Sequence, residues 1–392
     1  MGDIVERIGS ALLAVLVGSG FVLLIYVLGD LLLQRVFSDR TQAKLRPWLW
    51  VGPTIILLAV FLVYPVIDTV RRSFLDDRSQ EGVGFENYEW AFTSPEMLNA
   101  FRNNLFWLVI FTVGVILLAI GIAVLADRVR YESAVKSTVF LPMAISFVGA
   151  SVIWRFVYEF RPEGAAQIGI ANAVLVPLAQ FARDAETFFS TARWVFLFLG
   201  IAFLLVGYAA GRQAAGRGRG WTIGGGVLLF FAFGLFLFYG FATWEIPVGW
   251  LVNKAINNFA LIGVGIWVWV GFAVVILSAA IKNVPEELLE AARVDGATEW
   301  TVFRRVTIPM IKVTIAVVTT TMVINVLKVF DIVFVMTNGN FDTEVLANRM
   351  YKEMFNFTNF GRGAAVAVIL FLAVVPVMVW NIRRFREQEL IR

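Results

Sequence analysis

The sequence predicts an all-α polytopic membrane protein, and three observations carry that prediction. Of its 392 residues 59% are apolar and 16% charged, with a mean hydropathy of +0.78, outside the range of soluble globular chains. The apolar residues gather in runs of about 20, the length that crosses a hydrocarbon core about 30 Å thick. The charged residues concentrate between those runs. Cysteine and histidine are both absent, which removes thiol and imidazole catalysis, disulfides and every His- or Cys-based metal site. Carboxylate, Ser and Lys chemistry remain open, but no acid pair or Ser-Lys motif stands out, and no catalytic, metal or cofactor site is expected. No G-x-x-x-x-G-K-[ST] phosphate loop occurs, so any energy from ATP has to come from a partner. The net charge of +4 is spread beside membrane segments, which argues against nucleic acid.

Nine membrane helices are predicted, near 8–29, 48–70, 104–126, 136–159, 193–211, 222–243, 257–281, 313–336 and 363–382. The first begins MGDIVERIG, with acids beside Arg7, and leaves through Gly29-Asp30 without a small-x-small cleavage site. It reads as a retained anchor rather than a cleaved signal. The chain then divides into an anchor and linker at 1–46, a first core part at 47–175, an inserted apolar hairpin at 176–243, a second core part at 244–382 and a tail at 383–392. The hairpin is rich in Phe, nearly free of polar side chains, and joined by GRQAAGRGRGW, which suits a lipid-facing addition.

Lys and Arg concentrate in the loops at 30–47, 127–136, 212–221, 282–312 and 383–392. By the positive-inside rule those loops are cytoplasmic, the N-terminus is outside and the C-terminus inside. The segment 71–103 then lies outside, where Tyr88 and Trp90 suit either a headgroup-level linker or a docking surface. Ser94-Pro95 marks a helix start within it.

Charges inside spans are functional candidates because they cost several kcal/mol unless they face a bundle interior or water. Arg155 can snorkel or pair with Glu159 one turn on, or serve the pathway. Lys328 and Asp331 are spaced i, i+3 in the eighth predicted span, with Asn325 one turn earlier, so they share a face. That row of amide, cation and anion suits the lining of a route for a hydroxyl-rich or charged solute; an internal pair that fixes packing is the competing reading. In the seventh span Gly263, Gly265 and Gly271 permit close helix approach, and Trp267 and Trp269 offer rings that stack on sugars or pack internally.

The polar stretch 285–309, PEELLEAARVDGATEWTVFRRVTIP, sits between these two spans. Pro285 at a first helical position, with Glu286 and Glu287 at the positive helix end, starts a short amphipathic helix. Asp295-Gly296 stops it, Thr298 caps a second short helix, and Pro309 introduces the next span.

Glu290-Ala291-Ala292, three residues, Gly296, nine residues, then Val306-x-Ile308-Pro309 resembles the signature of permease subunits of binding-protein-dependent ABC importers. Val306 and Ile308 stand where that signature has Ile and Leu. Trp50-Val51-Gly52-Pro53 to Tyr64-Pro65, Phe140-Leu141-Pro142 to Trp154-Arg155-Phe156, and Val329-Phe330-Asp331 through Asn338-Gly339 resemble further segments of the carbohydrate-importing, MalF-like branch. Arg161-Pro162-x-Gly164 with Gln167-Ile168-Gly169 is similar to α-glucoside permeases. The similarity covers roughly 47–175 and 244–382 and leaves 176–243 without a counterpart.

The resemblance implies a type I ABC importer transmembrane subunit in a bacterial or archaeal plasma (inner) membrane. It implies pairing with a second, similar permease, two ATP-binding subunits and an extracellular or periplasmic sugar-binding protein, with a carbohydrate, an oligosaccharide or α-glucoside, moved to the cytoplasm by alternating access. Carried onto this sequence, Glu290, Ala291, Ala292, Asp295 and Gly296 belong to the helix that couples to the ATPase. The expected substrate pathway is Trp267, Trp269, Asn325, Lys328 and Asp331. A stand-alone secondary transporter, with Lys328 and Asp331 in ion coupling, is the alternative, although no inverted internal repeat supports it.

Overall fold

The structure, a computed structural model, describes residues 2–127, 129–162, 164–184, 186–213, 227–229, 232–234 and 246–389. Every regular element among them is helical; extended backbone pairs only in an isolated bridge between Leu75 and Gly82. Six of the described helices are long and apolar enough to cross a membrane, and a seventh if one bent pair is counted as a span. The predicted count of nine is not confirmed among the described residues. The predicted span at 222–243 lies mostly outside the described residues, as do Arg217 and Arg219, while the region of the predicted span 193–211 is helical within Glu186–Gln213.

Helices α1 (Gly2–Val36) and α2 (Asp39–Arg72) fold back on one another. Arg46 clamps Asp30 through two bonds of 2.7 Å, and Tyr26 stacks on Trp50 at 4.8 Å. Helix α2 opens into a π turn over Ala59–Val63, directly ahead of Pro65. Proline has no N–H and crowds the carbonyl four residues back, so the ladder widens there. The segment before the next long helix folds as a small unit. Asn87 donates to the carbonyls of Ser73 and Leu75, and α3 (Glu86–Thr93) follows. Trp90, half-buried on α3, lies under the guanidinium groups of Arg362 and Arg349, 4.7 and 5.5 Å from its ring centre. It is engaged inside the protein.

Ser94 in extended conformation with Pro95 in the first turn starts α4 (Pro95–Ala126), as the sequence predicts, but the helix runs straight on as one element. Its buried stripe, Trp107, Phe111, Val115, Ala119 and Ala123, recurs every four residues and faces α9 (Asn257–Lys282). Gly265 and Gly271 let α9 pack closely: Trp107 and Phe111 lie against the first, and a methyl at the second would overlap the Val139 carbonyl.

The predicted span 136–159 is instead two helices, α5 (Glu132–Phe140) and α6 (Phe147–Val157), joined by a tight turn at Leu141–Ala144 and bent by 100°. Pro142 cannot continue the helical ladder, and the Ser146 hydroxyl caps a new helix by accepting from Gly149 N–H at 3.1 Å. Arg155 is exposed on α6, while Glu159 lies beyond the helix end at Val157, and no ion pair joins them. Helices α7 (Ile170–Asp184) and α8 (Glu186–Gln213) follow. The fully buried Asn172 ties α7 to the backbone of Val248 at 2.9 and 3.0 Å.

After α9 comes α10 (Glu286–Val294), then α11, which runs from Glu299 to Leu327. The predicted second short helix of the loop is the first turn of α11. It joins the span through a π turn at Phe303–Thr307 placed, as in α2, just ahead of a proline, Pro309. The predicted span 313–336 ends early: Lys328 caps α11, and α12 (Asp331–Met336) starts afresh. A final pair, α13 (Leu346–Tyr351) and α14 (Phe360–Glu389), packs near α3 and the start of α4.

Candidate functional site

The break after Leu327 creates a cavity. Thr319, Thr320 and Thr321 turn their hydroxyls back onto carbonyls four residues earlier at 2.7, 2.8 and 3.0 Å, and Asn325 donates to Thr321 in the same way at 2.9 Å. Such back-bonding weakens the helical ladder toward its end. Lys328 takes φ −108°, Phe330 takes φ −139°, and the chain turns into α12. The space left beside the turn is ≈ 250 Å³, just under the ~300–1,000 Å³ usual for small-molecule sites.

Four of the five residues expected along a pathway line this cavity: Trp269, Asn325, Lys328 and Asp331. Trp267 does not. It packs edge-on against Trp154 at 5.6 Å, because residues two apart on a helix face different ways. The expected pairing of Lys328 with Asp331 is also absent. They sit on either side of the helix break, not at i and i+3 of one helix, and no ion pair links them. Lys328 is exposed and Asp331 half-buried, so each meets the cavity separately. That removes the paired arrangement on which the ion-coupling alternative rested.

Sequence reasoning passed over the aromatic residues that complete the wall. Trp107 and Phe111 come from α4, Phe147 from the start of α6, and Phe330 from the break itself. Phe147 stacks on Trp269 at 6.0 Å. Trp107 is 1% exposed and its indole N–H has no partner among the described residues. A four-residue apolar repeat holding a Trp was the available signal at 107; nothing in the linear sequence points at Phe147, which the bend delivers. The wall thus combines flat aromatic faces with an amide, a cation and an anion, the residue types that hold hydroxyl-rich molecules.

The second candidate is the polar loop. Pro285, predicted at the first helical position, sits instead at the N-cap of α10, and Glu286 and Glu287 occupy the first turn. The helix ends as predicted. Gly296 adopts φ +82°, its N–H reaches the Arg293 carbonyl, and Ala297 N–H reaches Ala292, both at 3.0 Å. This paired closure satisfies carbonyls that the helix end leaves open and requires a left-handed residue, which glycine supplies without strain. Thr298 caps α11 by accepting from Thr301 N–H at 3.3 Å. Arg293 closes the turn by donating to Glu299 at 2.9 Å, and that carboxylate holds the guanidinium above its ordinary pKa.

Glu290, Ala291, Asp295 and Gly296 are exposed on this loop, with Ala292 half-buried. Large apolar side chains are exposed beside them: Leu288 at 46%, Val294 at 87% and Trp300 at 67%. Behind the loop lies a mainly apolar space of ≈ 560 Å³ between α4, α9 and α11. The two candidate sites are joined directly, since α11 carries Trp300 at one end and Asn325 near the other.

Residues 168–384 match the family described as binding-protein-dependent transport system inner membrane component. The chain is 48% identical over 344 residues to the osmoprotective compounds uptake permease protein GgtC of Synechocystis, covering 88% of this chain and 100% of that protein. It is 37% identical over 351 residues to the alpha-glucoside transport system permease protein AglF of Rhizobium meliloti, covering 89% and 85%. Its fold resembles a chain of a bacterial ABC transporter involved in the import of the acidic polysaccharide alginate, with TM-score 0.60 and 22% identity over 89% of this chain and 99% of that one. A second structure of an alginate ABC transporter, in complex with an alginate pentasaccharide-bound periplasmic protein, matches at TM-score 0.59 and 20% identity over 87% and 96%. The chain therefore belongs to the binding-protein-dependent transport system inner membrane component family.

Proposed function

We propose that this chain is the membrane-spanning permease subunit of an ATP-driven sugar importer. The substrate class is an α-glucoside or another osmoprotective compound, drawn from the names of the relatives at 37% and 48% identity. An external binding protein delivers the solute; the alginate transporter of similar fold was solved with such a protein. A second permease of the same kind completes the pathway, and two ATP-binding subunits sit on the face carrying the loop. Catalysis of ATP hydrolysis belongs to those subunits.

One observation carries the reading. The exposed loop around Glu290–Gly296 is locked by its glycine closure and threonine cap, and leads into a helix that runs on to the cavity. Closure of the ATPase pair displaces α10, α11 moves with it, and the turn at Lys328–Phe330 changes the cavity's access from one side of the membrane to the other. Inside the cavity Trp269 and Phe147 hold the sugar by its apolar face, while Asn325, Lys328 and Asp331 hydrogen-bond its hydroxyls. In this reading the loop is cytoplasmic and the 73–94 segment external, as the Lys and Arg distribution implies.

The test is isolation of the complex from native membranes by a tag on this chain. ATP-binding subunits are expected with the wild type and are lost or strongly reduced with Glu290→Lys. Recovery of the chain without any ATP-binding subunit would overturn the reading.

A further inference from the structure

A cluster of charges ties α4, α5 and α9 together beside the polar loop, and its Asp127 borders the apolar space behind that loop. Lys282, the last residue of α9, lies three positions ahead of Pro285 and donates to both carboxylate oxygens of Glu132, at 2.5 and 2.7 Å. Glu132 is the first residue of α5 and also binds Lys136. Lys136 reaches Asp127, just past the end of α4, at 2.8 Å, and the buried Ser278 of α9 donates to the same oxygen at 2.8 Å. Lys136 and Ser278 are in contact as well. Three helix ends thus meet in one network, and its two parts differ. Asp127, Lys136 and Ser278 are largely buried, whereas Lys282 is half-exposed. The first part is an anchor; the second is a link that solvent can reach.

The link has a mechanical consequence. Helix α5 is stiffly held against α9, since Gly271 brings it into backbone contact at Val139. It ends at the 100° bend, beyond which Phe147 stands in the cavity wall against Trp269. The loop therefore has two connections to the cavity. One is the continuous helix α11. The other runs through Lys282 and Glu132 into α5 and around the bend to Phe147.

We infer that Glu132 and Lys282 are positioning residues for energy coupling, a salt link that carries displacement of the loop into α5 and so moves the α6 wall of the cavity in step with α11. The inference rests on the importer reading above. With Lys282 half-exposed, this link is screened more by solvent than the largely buried Asp127–Lys136 pair, so it contributes less to stability than that anchor. It is placed where a packed, contiguous route between two sites needs a joint.

The experiment reads solute molecules moved per ATP hydrolysed by the full complex in proteoliposomes, with complex assembly followed by gel filtration. Lys282→Met and Glu132→Gln are each expected to lower that ratio roughly five-fold while ATP hydrolysis continues, a small but measurable coupling effect. Lys282→Arg, which can still bind Glu132, is expected to retain the ratio. The double variant is expected to be no worse than either single one, because both remove the same link. A ratio unchanged in the assembled Lys282→Met complex overturns the inference, as do additive losses in the double variant or an equal loss with Lys282→Arg. Should Lys282→Met fail to assemble, Glu132→Gln decides by the same ratio. Wild-type uptake without ATP would instead overturn the importer reading itself, so the two failures are distinguishable.

Discussion

Trp267 and Trp269 lie two residues apart on α9 and serve opposite surfaces: Trp269 lines the cavity and stacks on Phe147 at 6.0 Å, while Trp267 packs edge-on against Trp154 at 5.6 Å. The same helix turn thus contributes one ring to the cavity and one to the bundle. A substitution can tell them apart. Trp269→Ala is expected to lower uptake roughly ten-fold with ATPase assembly intact, the upper end of an aromatic contact of about 0.5–1.5 kcal/mol. Trp267→Phe keeps an aromatic ring against Trp154 and is expected to leave uptake within about two-fold. Equal losses in both would remove Trp269 from the lining.

Lys328 and Asp331 meet the cavity from either side of a helix break. Their roles are accordingly separable. Lys328→Met and Asp331→Asn should each reduce uptake, and exchanging the two charges should not restore it. A charge-exchanged variant with normal uptake would show that the residues work as a pair after all. Asn325→Ala belongs in the same series, with reduced uptake and unchanged subunit assembly expected.

At Gly296 the backbone adopts φ +82°, and the closure it permits fixes the end of α10. Any side chain there is strained by about 1–2 kcal/mol. Gly296→Val is expected to release the ATP-binding subunits from the purified complex, and Thr298→Ala, which removes the cap of α11 at a cost of about 1 kcal/mol, to weaken their retention less. Full retention of those subunits by Gly296→Val would mean that the shape of the loop is unimportant for the partner.

Gly271 supports the packing of α5 on α9, because a methyl there overlaps the Val139 carbonyl. Gly271→Ala should lower the unfolding midpoint of the purified chain, with a cost in the range of about 1–3 kcal/mol for overpacking. An unchanged midpoint would show that α5 can move away from α9 freely.

How much of this was legible in the sequence depended on whether the signal was local. The stop at Asp295-Gly296, the cap at Thr298 and the start at Ser94-Pro95 are set by residues within one turn, and they appear in the structure where the sequence puts them. Apolar run length located α2, α4, α9, α11 and α14 but did not show where a run breaks. Pro142 with Ser146 splits one run, and the change of direction at Lys328–Phe330 splits another without a proline or glycine to announce it. Those two breaks are what bring Phe147 and Phe330 to the cavity. The site is therefore half readable: its polar members stand out against an apolar background, while most of its aromatic members are ordinary residues of apolar helices until tertiary packing selects them. Trp267 shows the converse, a residue conspicuous in composition whose helical phase takes it elsewhere.

The most direct measurement is uptake of a radiolabelled α-glucoside into proteoliposomes containing this chain, its companion permease, the ATP-binding subunits and the binding protein, with and without ATP. Uptake that requires ATP and is abolished by Glu290→Lys, with Trp269→Ala reduced roughly ten-fold, is the expected result. Uptake of the same solute by this chain alone, with no ATP-binding subunit present, would contradict it.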